Sequence, residues 1–349
     1  MRRTLTRTGL FDEVEPGRLW AARRGYALGL GLLVLVGAAI GATRIGRGSM
    51  SGALTVLGRA QPGWVLVAAA CFAIGLLCTA AAWHAGLRAC GGSAGFVEVT
   101  ARSAIGSLVN ALTPAHLGGA VRVGLLSRTL PGADRLWRAG GVGAAVGAAR
   151  TLVLAALVVA AAGASRVPLW PAPLLACAGL CVLVVCIRAS ERTAGYVASS
   201  LQIVRSCVRS PRTGGKIFGW VACSFGARFG ATVAFATALG MPRPIWIAVV
   251  LLAAVTLSGV LPLTPGNFGA GAGAATLALH GTGVGTGTAL ALAIAFQGLE
   301  TFTGMTLGLA GAAVIAAPGT RVRRWSFAAA GAAAVLLAAS VGVAYVDLV

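Results

Sequence analysis

Acidic residues are scarce in this 349-residue chain. Eight Asp and Glu stand against 28 Lys and Arg, and Lys216 is the only lysine. Charged residues of both signs make up 10% of the sequence, whereas 58% of it is hydrophobic. Soluble globular domains carry about 25% charged residues, so this composition excludes that class. It also leaves little for acid–base catalysis, which draws on paired carboxylates or a carboxylate–histidine set. The sequence has no Walker A lysine motif, no H-E-x-x-H and no C-x-x-C. Its three histidines, His84, His116 and His280, are scattered. No enzyme, metal site or cofactor is expected.

Long apolar runs fill the space that charge leaves. Five windows, 25–43, 62–83, 167–187, 244–263 and 326–346, carry no charge at all. Two more, 139–163 and 217–239, hold one Arg each, and 282–317 holds one Glu. About 20 apolar residues cross a hydrocarbon core as a helix. The runs do not alternate as barrel strands would. The expected fold is therefore all-α and polytopic, with roughly eight transmembrane helices. Cys71, Cys78, Cys177, Cys181 and Cys223 lie inside these apolar spans and read as packing residues.

The net charge of +20 does not point to nucleic acid, because the basic residues mostly flank the spans. That is the positive-inside pattern. The basic connectors are 122–138, 188–216 and 318–325. With the Arg-rich tail 1–24, they are expected in the cytoplasm, and 25–349 forms the membrane domain of a multi-pass cell-membrane protein. Between Lys216 and Arg321 three plain spans are visible. Cytoplasmic loops on both sides then require a further crossing, from 264–281 or from a break in 282–317.

One segment occurs twice. Ser107, Val109, Leu112, Thr113, Pro114 and Gly118 match Ser258, Val260, Leu263, Thr264, Pro265 and Gly269 without a gap. Pro removes a backbone donor and bars its predecessor from the helical region. A helix reaching Leu112 or Leu263 should break at Thr-Pro, and Gly118, Gly266 and Gly269 should let the chain turn and restart, over 115–126 and 266–279. Two Pro/Gly-broken, re-entrant segments in corresponding halves are the sequence pointer to a transporter's central site. The competing explanation is a chance match in a chain rich in Ala, Gly and Leu.

Ionisable side chains inside spans are costly and are functional candidates. Arg150 and Arg228 lie near the middle of their windows, Arg122 follows the first break, and Glu300 lies in the last long run with Gln297 one turn earlier. Glu98 and Arg102, four apart, make a helical pair. An Arg without a carboxylate partner suits a phosphate, which its fork binds in a bidentate way. Restarted half-helices would add N-terminal amides. The candidate ligand site is Arg122, Arg150 and Arg228 for charge, His116 and Asn267 for hydrogen bonds, with Gln297 and Glu300 beside them. The alternatives are a topogenic or snorkelling Arg122, and pairing of Arg150 and Arg228 with Glu300 or backbone carbonyls.

The stretch GVLPLTPGNFGAGAGAATLALHGTGVGTGTALALAIAFQGLETFTG at 259–304 resembles the lysylphosphatidylglycerol synthase transmembrane-region family of flippase-like proteins. TPAHLGGAVRVGLLSR at 113–128 is similar to the family's first polar block, and AARTLVLAAL at 148–157 to its Arg-x-x-Asp helix. The resemblance spans roughly 25–320. It implies a helical membrane fold that moves a lipid, anionic or polyprenyl-linked, between leaflets, without the soluble synthase domain of some members. The family's charges are thinned here. His116 and Gly119 stand at its Arg and Glu positions, Val153 at its Asp, Ala272 at its second Glu and Gln297 at a further Arg.

The expected function is a flippase-like transporter of an anionic phospholipid or lipid-linked saccharide. The alternatives are a non-transporting scaffold for a lipid-modifying enzyme or glycosyltransferase, and a membrane transferase acting on a lipid-linked sugar.

Overall fold

The computed structural model describes residues 60–113, 117–164, 210–258 and 268–316, with isolated positions at 321, 324, 328 and 331. Every regular element among the described residues is a helix. In chain order they are α1 (Pro62–Ala89), α2 (Phe96–Leu112), α3 (Leu117–Ser127), α4 (Arg135–Ala164), α5 (Pro211–Ala238), α6 (Pro244–Ser258), α7 (Phe268–His280) and α8 (Thr286–Ile315). Helices α1, α4, α5 and α8 are long and apolar enough to cross a membrane. At 1.5 Å per residue their 28 to 30 residues extend about 42 Å or more, against a hydrocarbon core of about 30 Å. The window 244–263 gives α6, described to Ser258. The tail 1–24 and the windows 25–43 and 167–187 lie outside the described residues, as does nearly all of 326–346.

The two halves are built alike. Helices α1 and α5 both open on a proline, Pro62 and Pro211, where a missing N–H costs nothing. Both close on a left-handed glycine, Gly91 (φ +80°) and Gly240 (φ +64°). The next residue then donates back into the last turn, Gly92 N to Leu87 O at 2.9 Å and Met241 N to Ala236 O at 3.0 Å. These features recur 149 residues apart. Beyond them the spacing is 151: α4 and α8 start at Arg135 and Thr286. That is the spacing of Ser107 and Ser258 in the repeated segment. Exchanging α1–α4 for α5–α8 maps each substantially packed helix pair onto another such pair.

Helices α1 and α5 form the most extensive contact, and they run antiparallel. Gln61 N, at the start of α1, donates to Ala238 O, at the end of α5, at 2.8 Å. Midway, Ser224 Oγ donates to Gly75 O at 2.7 Å, and a Cβ on Gly75 would stand 3.3 Å from Ser224 O. Gly75 and Ser224 are themselves 149 apart, so the crossing falls on the axis relating the halves. Equivalent helices that pair antiparallel make the repeat inverted. Phe72 of α1 and Phe296 of α8 stack edge to face, 5.1 Å between centroids, in the core beside this crossing.

The first break falls where the Thr-Pro pair places it. Helix α2 ends at Leu112, and Thr113 is extended at φ −120°, ψ 144°, as a residue before proline must be. Thr113 N and Oγ1 both donate to Val109 O, at 2.9 and 2.7 Å, satisfying a carbonyl at the broken end. Helices α3 and α7 are described from Leu117 and Phe268 onward, within the stretches where restarted helices are expected. Pro114 and His116 lie outside the described residues, as do Thr264, Pro265, Gly266 and Asn267. Gly269 lies in the first turn of α7.

Other details differ from the sequence reading. Helix α8 is unbroken, which leaves 264–281 to supply any further crossing. The connector expected at 122–138 shrinks to Arg128–Asp134, because helix continues through Arg122 to Ser127. His84 lies within α1, which runs on to Ala89. Its ring meets Phe96 edge to face at 5.8 Å.

Candidate functional site

Four of the candidate residues converge. Arg122 on α3, Arg228 on α5 and Glu300 on α8 all lie within electrostatic reach of Arg150 on α4. Each occupies a different helix, and each is partly buried. Three guanidinium groups and one carboxylate share this centre.

Their pairing is unequal. Arg228 Nη2 lies 2.5 Å from Glu300 Oε1, with the two side chains 22% and 28% exposed. Arg228 Nε is buried without a hydrogen-bond partner among the described residues. Arg150 has no carboxylate partner among the described residues. Its Nη2 donates to Thr79 Oγ1 on α1 at a long 3.4 Å. Thr79 Oγ1 also lies 2.9 Å from Ser224 Oγ and donates to Gly75 O at 3.0 Å. Arg150 is thereby tied to the hydroxyl cluster at the α1–α5 crossing. Among the described residues, the pairing alternative holds for Arg228 and not for Arg150.

Arg122 lies back across α2. Its Nε donates to Ser103 O at 3.2 Å and its Nη2 to Ser107 Oγ at 2.9 Å. Glycine makes room for this: a Cβ on Gly106 would stand 2.8 Å from Arg122 Cβ, and one on Gly118 would strike the α2 backbone near Asn110. Arg122 therefore packs against the neighbouring helix α2. A guanidinium carries five N–H donors, and these contacts use two. Arg102 forms the expected pair with Glu98 at 2.5 Å and also donates to Leu125 O at 2.7 Å, fastening α2 to the end of α3. Gln297 is buried, 3% exposed, one turn from Glu300 on α8.

Thr79, Ser224 and Gly75 escaped the sequence reading. Single hydroxyls and glycines carry no signal in a chain with 51 glycines. The available clue was the 149-residue spacing of Gly75 and Ser224, legible once Pro62 is set over Pro211. Residues 91–95 spell Gly-Gly-Ser-Ala-Gly, the letters of a G-x-S-x-G. They link α1 to α2, whereas a nucleophile elbow needs a strand-to-helix turn.

An inverted pair of four-helix units around a charged centre, with four helices long and apolar enough to cross a membrane, marks a polytopic helical membrane protein. The sequence matches the family described as Lysylphosphatidylglycerol synthase TM region over residues 25–308, and the chain belongs to that family. Comparison with curated proteins and with solved structures gives no match.

Proposed function

We propose that this protein is a flippase-like transporter that moves an anionic phospholipid or a lipid-linked saccharide between leaflets. The observation that carries this reading is the excess of arginine at the centre. Arg122 and Arg150 keep guanidinium donors that no carboxylate of the described residues takes up. An unneutralised charge inside a membrane domain is expensive, and an anionic headgroup offsets that cost.

The architecture supports the same reading. Inverted repeats with broken helices place substrate sites near the midplane, at the repeat interface. The Arg150–Thr79–Ser224 chain lies at that interface. Access would alternate as one half rocks against the other about the α1–α5 crossing. The cytoplasmic N-terminus, the cell-membrane location and the roles of His116 and Asn267 as headgroup donors belong to this proposal.

Reconstitution tests it. Vesicles containing the protein should exchange fluorescent anionic lipid between leaflets faster than empty vesicles do. Well-folded protein that accelerates neither an anionic phospholipid nor a polyprenyl phosphate would favour the scaffold reading, in which a lipid-modifying enzyme or glycosyltransferase is the partner. Turnover of a labelled lipid-linked sugar by purified protein would instead favour a transferase.

A further inference from the structure

Two thiols meet where the halves cross. Cys78 on α1 is buried, Cys223 on α5 is exposed, and both are free. The residues that follow them, Thr79 and Ser224, hold their hydroxyl oxygens 2.9 Å apart. Cys223 lies within electrostatic reach of Cys78. The helix register points the same way. A Cβ on Gly230 of α5 would stand 3.7 Å from Cys71 Sγ of α1. Cys78 follows Cys71 by seven residues and Cys223 precedes Gly230 by seven, close to two turns on each antiparallel helix. The faces that bring Cys71 against Gly230 therefore bring Cys78 against Cys223. They do so nearer the crossing: Cys78 and Cys223 are three and one residues from Gly75 and Ser224, whereas Cys71 and Gly230 are four and six. At the crossing a Cβ on Gly75 would stand 3.7 Å from Ala227 Cβ. Disulfides join Cβ atoms about 3.5–4.5 Å apart.

We infer that Cys78 and Cys223 are an oxidisable pair whose disulfide joins the two halves of the repeat at their crossing. Cys223 is exposed on a helix long and apolar enough to cross a membrane, so the oxidant that reaches it is one dissolved in lipid, a quinone. Both S–H bonds break and one S–S bond forms. The two electrons and two protons pass to the quinone, which leaves as hydroquinone. A thiol reductant reverses the oxidation by exchange. The bond ties α1 to α5 and closes a long loop of chain, which restricts the unfolded state. The inference is independent of the transport reading, because bond formation is measured without any lipid movement.

The test is oxidation of the full-length protein in phosphatidylcholine nanodiscs by a short-chain, fully substituted benzoquinone. Mass spectrometry of the digest should find an α1 peptide joined to an α5 peptide through Cys78 and Cys223. The joined species should be two hydrogens lighter than its parts and should separate in dithiothreitol. Cys78→Ser and Cys223→Ser should each abolish it. Cys71→Ser should leave it in place, because a glycine stands opposite Cys71. Oxidised wild type should unfold roughly 5–10 °C above the reduced protein, and Cys223→Ser should show no such rise. Wild-type protein that keeps both thiols free, or that joins other cysteines in their place, overturns the inference whether or not the variants fold.

Discussion

Arg228 and Glu300, 2.5 Å apart, close the contact between α5 and α8. The corresponding helices of the other half, α1 and α4, are joined by a hydrogen bond from Arg150 to Thr79, with Arg150 one position beyond the counterpart of Glu300. Thr79 and Arg228 are 149 positions apart, as are Pro62 and Pro211, so they occupy matching places in paired antiparallel helices. Among the described residues, one half carries an ion pair at the centre and the other a cation without a carboxylate partner. The repeat supplies two similar frames, and this asymmetry gives the centre its positive charge.

The ion pair should be a stability element. Glu300→Gln leaves Arg228 partly buried and unpaired, and Arg228→Gln strands Glu300. Each single variant should lose thermal stability in detergent. The double variant should recover part of it, with a coupling on the order of 1 kcal/mol, between surface and fully buried pairs. A double-mutant cycle on the unfolding transition measures this directly. Additive losses would mean that the pair contributes nothing as a pair.

Glu300→Gln should act oppositely on ligand. Removing the only carboxylate within reach of Arg150 among the described residues raises the positive potential at the centre. Native mass spectrometry should find more retained anionic lipid on this variant than on wild type, and less on Arg122→Gln. Equal retention by all three would separate the cluster from lipid binding.

The α2–α8 contact gives a graded glycine test. A Cβ on Gly304 meets nothing within 4 Å, whereas one on Gly308 would stand 2.8 Å from Ala104 O and one on Gly311 2.6 Å from Ala101 O. Gly304→Ala should be neutral or slightly stabilising, by up to about 1 kcal/mol. Gly308→Ala and Gly311→Ala should each destabilise by roughly 1–3 kcal/mol, because backbone must move. Melting temperatures of the three purified variants check the order.

The hydroxyl cluster at the α1–α5 crossing should contribute modestly. Thr79→Val removes its bonds to Ser224, Gly75 and Arg150 with little change of shape. Hydrogen bonds between membrane helices average about 0.6 kcal/mol, so the stability loss should be on that order. The larger effect should fall on Arg150, whose described anchor is lost, and anionic-lipid exchange should slow while the fold persists.

Much of this was legible because it depends on local chain chemistry. Pro114 fixes the end of α2 at Leu112 through the geometry of Thr113, and a proline does that in any context. The 151-residue spacing needs only alignment, and it carries through to the starts of α4 and α8. Intramembrane arginines are rare enough to be noticed singly, and all three gather around one point. What stayed hidden depends on packing. The inversion of the repeat rests on which end of α5 meets Gln61. The pairing of Glu300 with Arg228, and not Arg150, rests on how α5 and α8 approach. The close approach of α8 to α2 rests on Gly308 and Gly311 meeting the α2 backbone.

The most direct test is the ratio of leaflet-exchange rates for anionic and zwitterionic lipids of the same tail type, in vesicles bearing wild-type protein or Arg150→Gln. A headgroup site at the unneutralised arginines predicts faster anionic exchange in wild type. It predicts at least a roughly tenfold loss of that rate in Arg150→Gln, the scale of one charged hydrogen bond. It also predicts that Arg150→Lys restores part of the rate. Equal rates for both lipids, unchanged in Arg150→Gln, would contradict it.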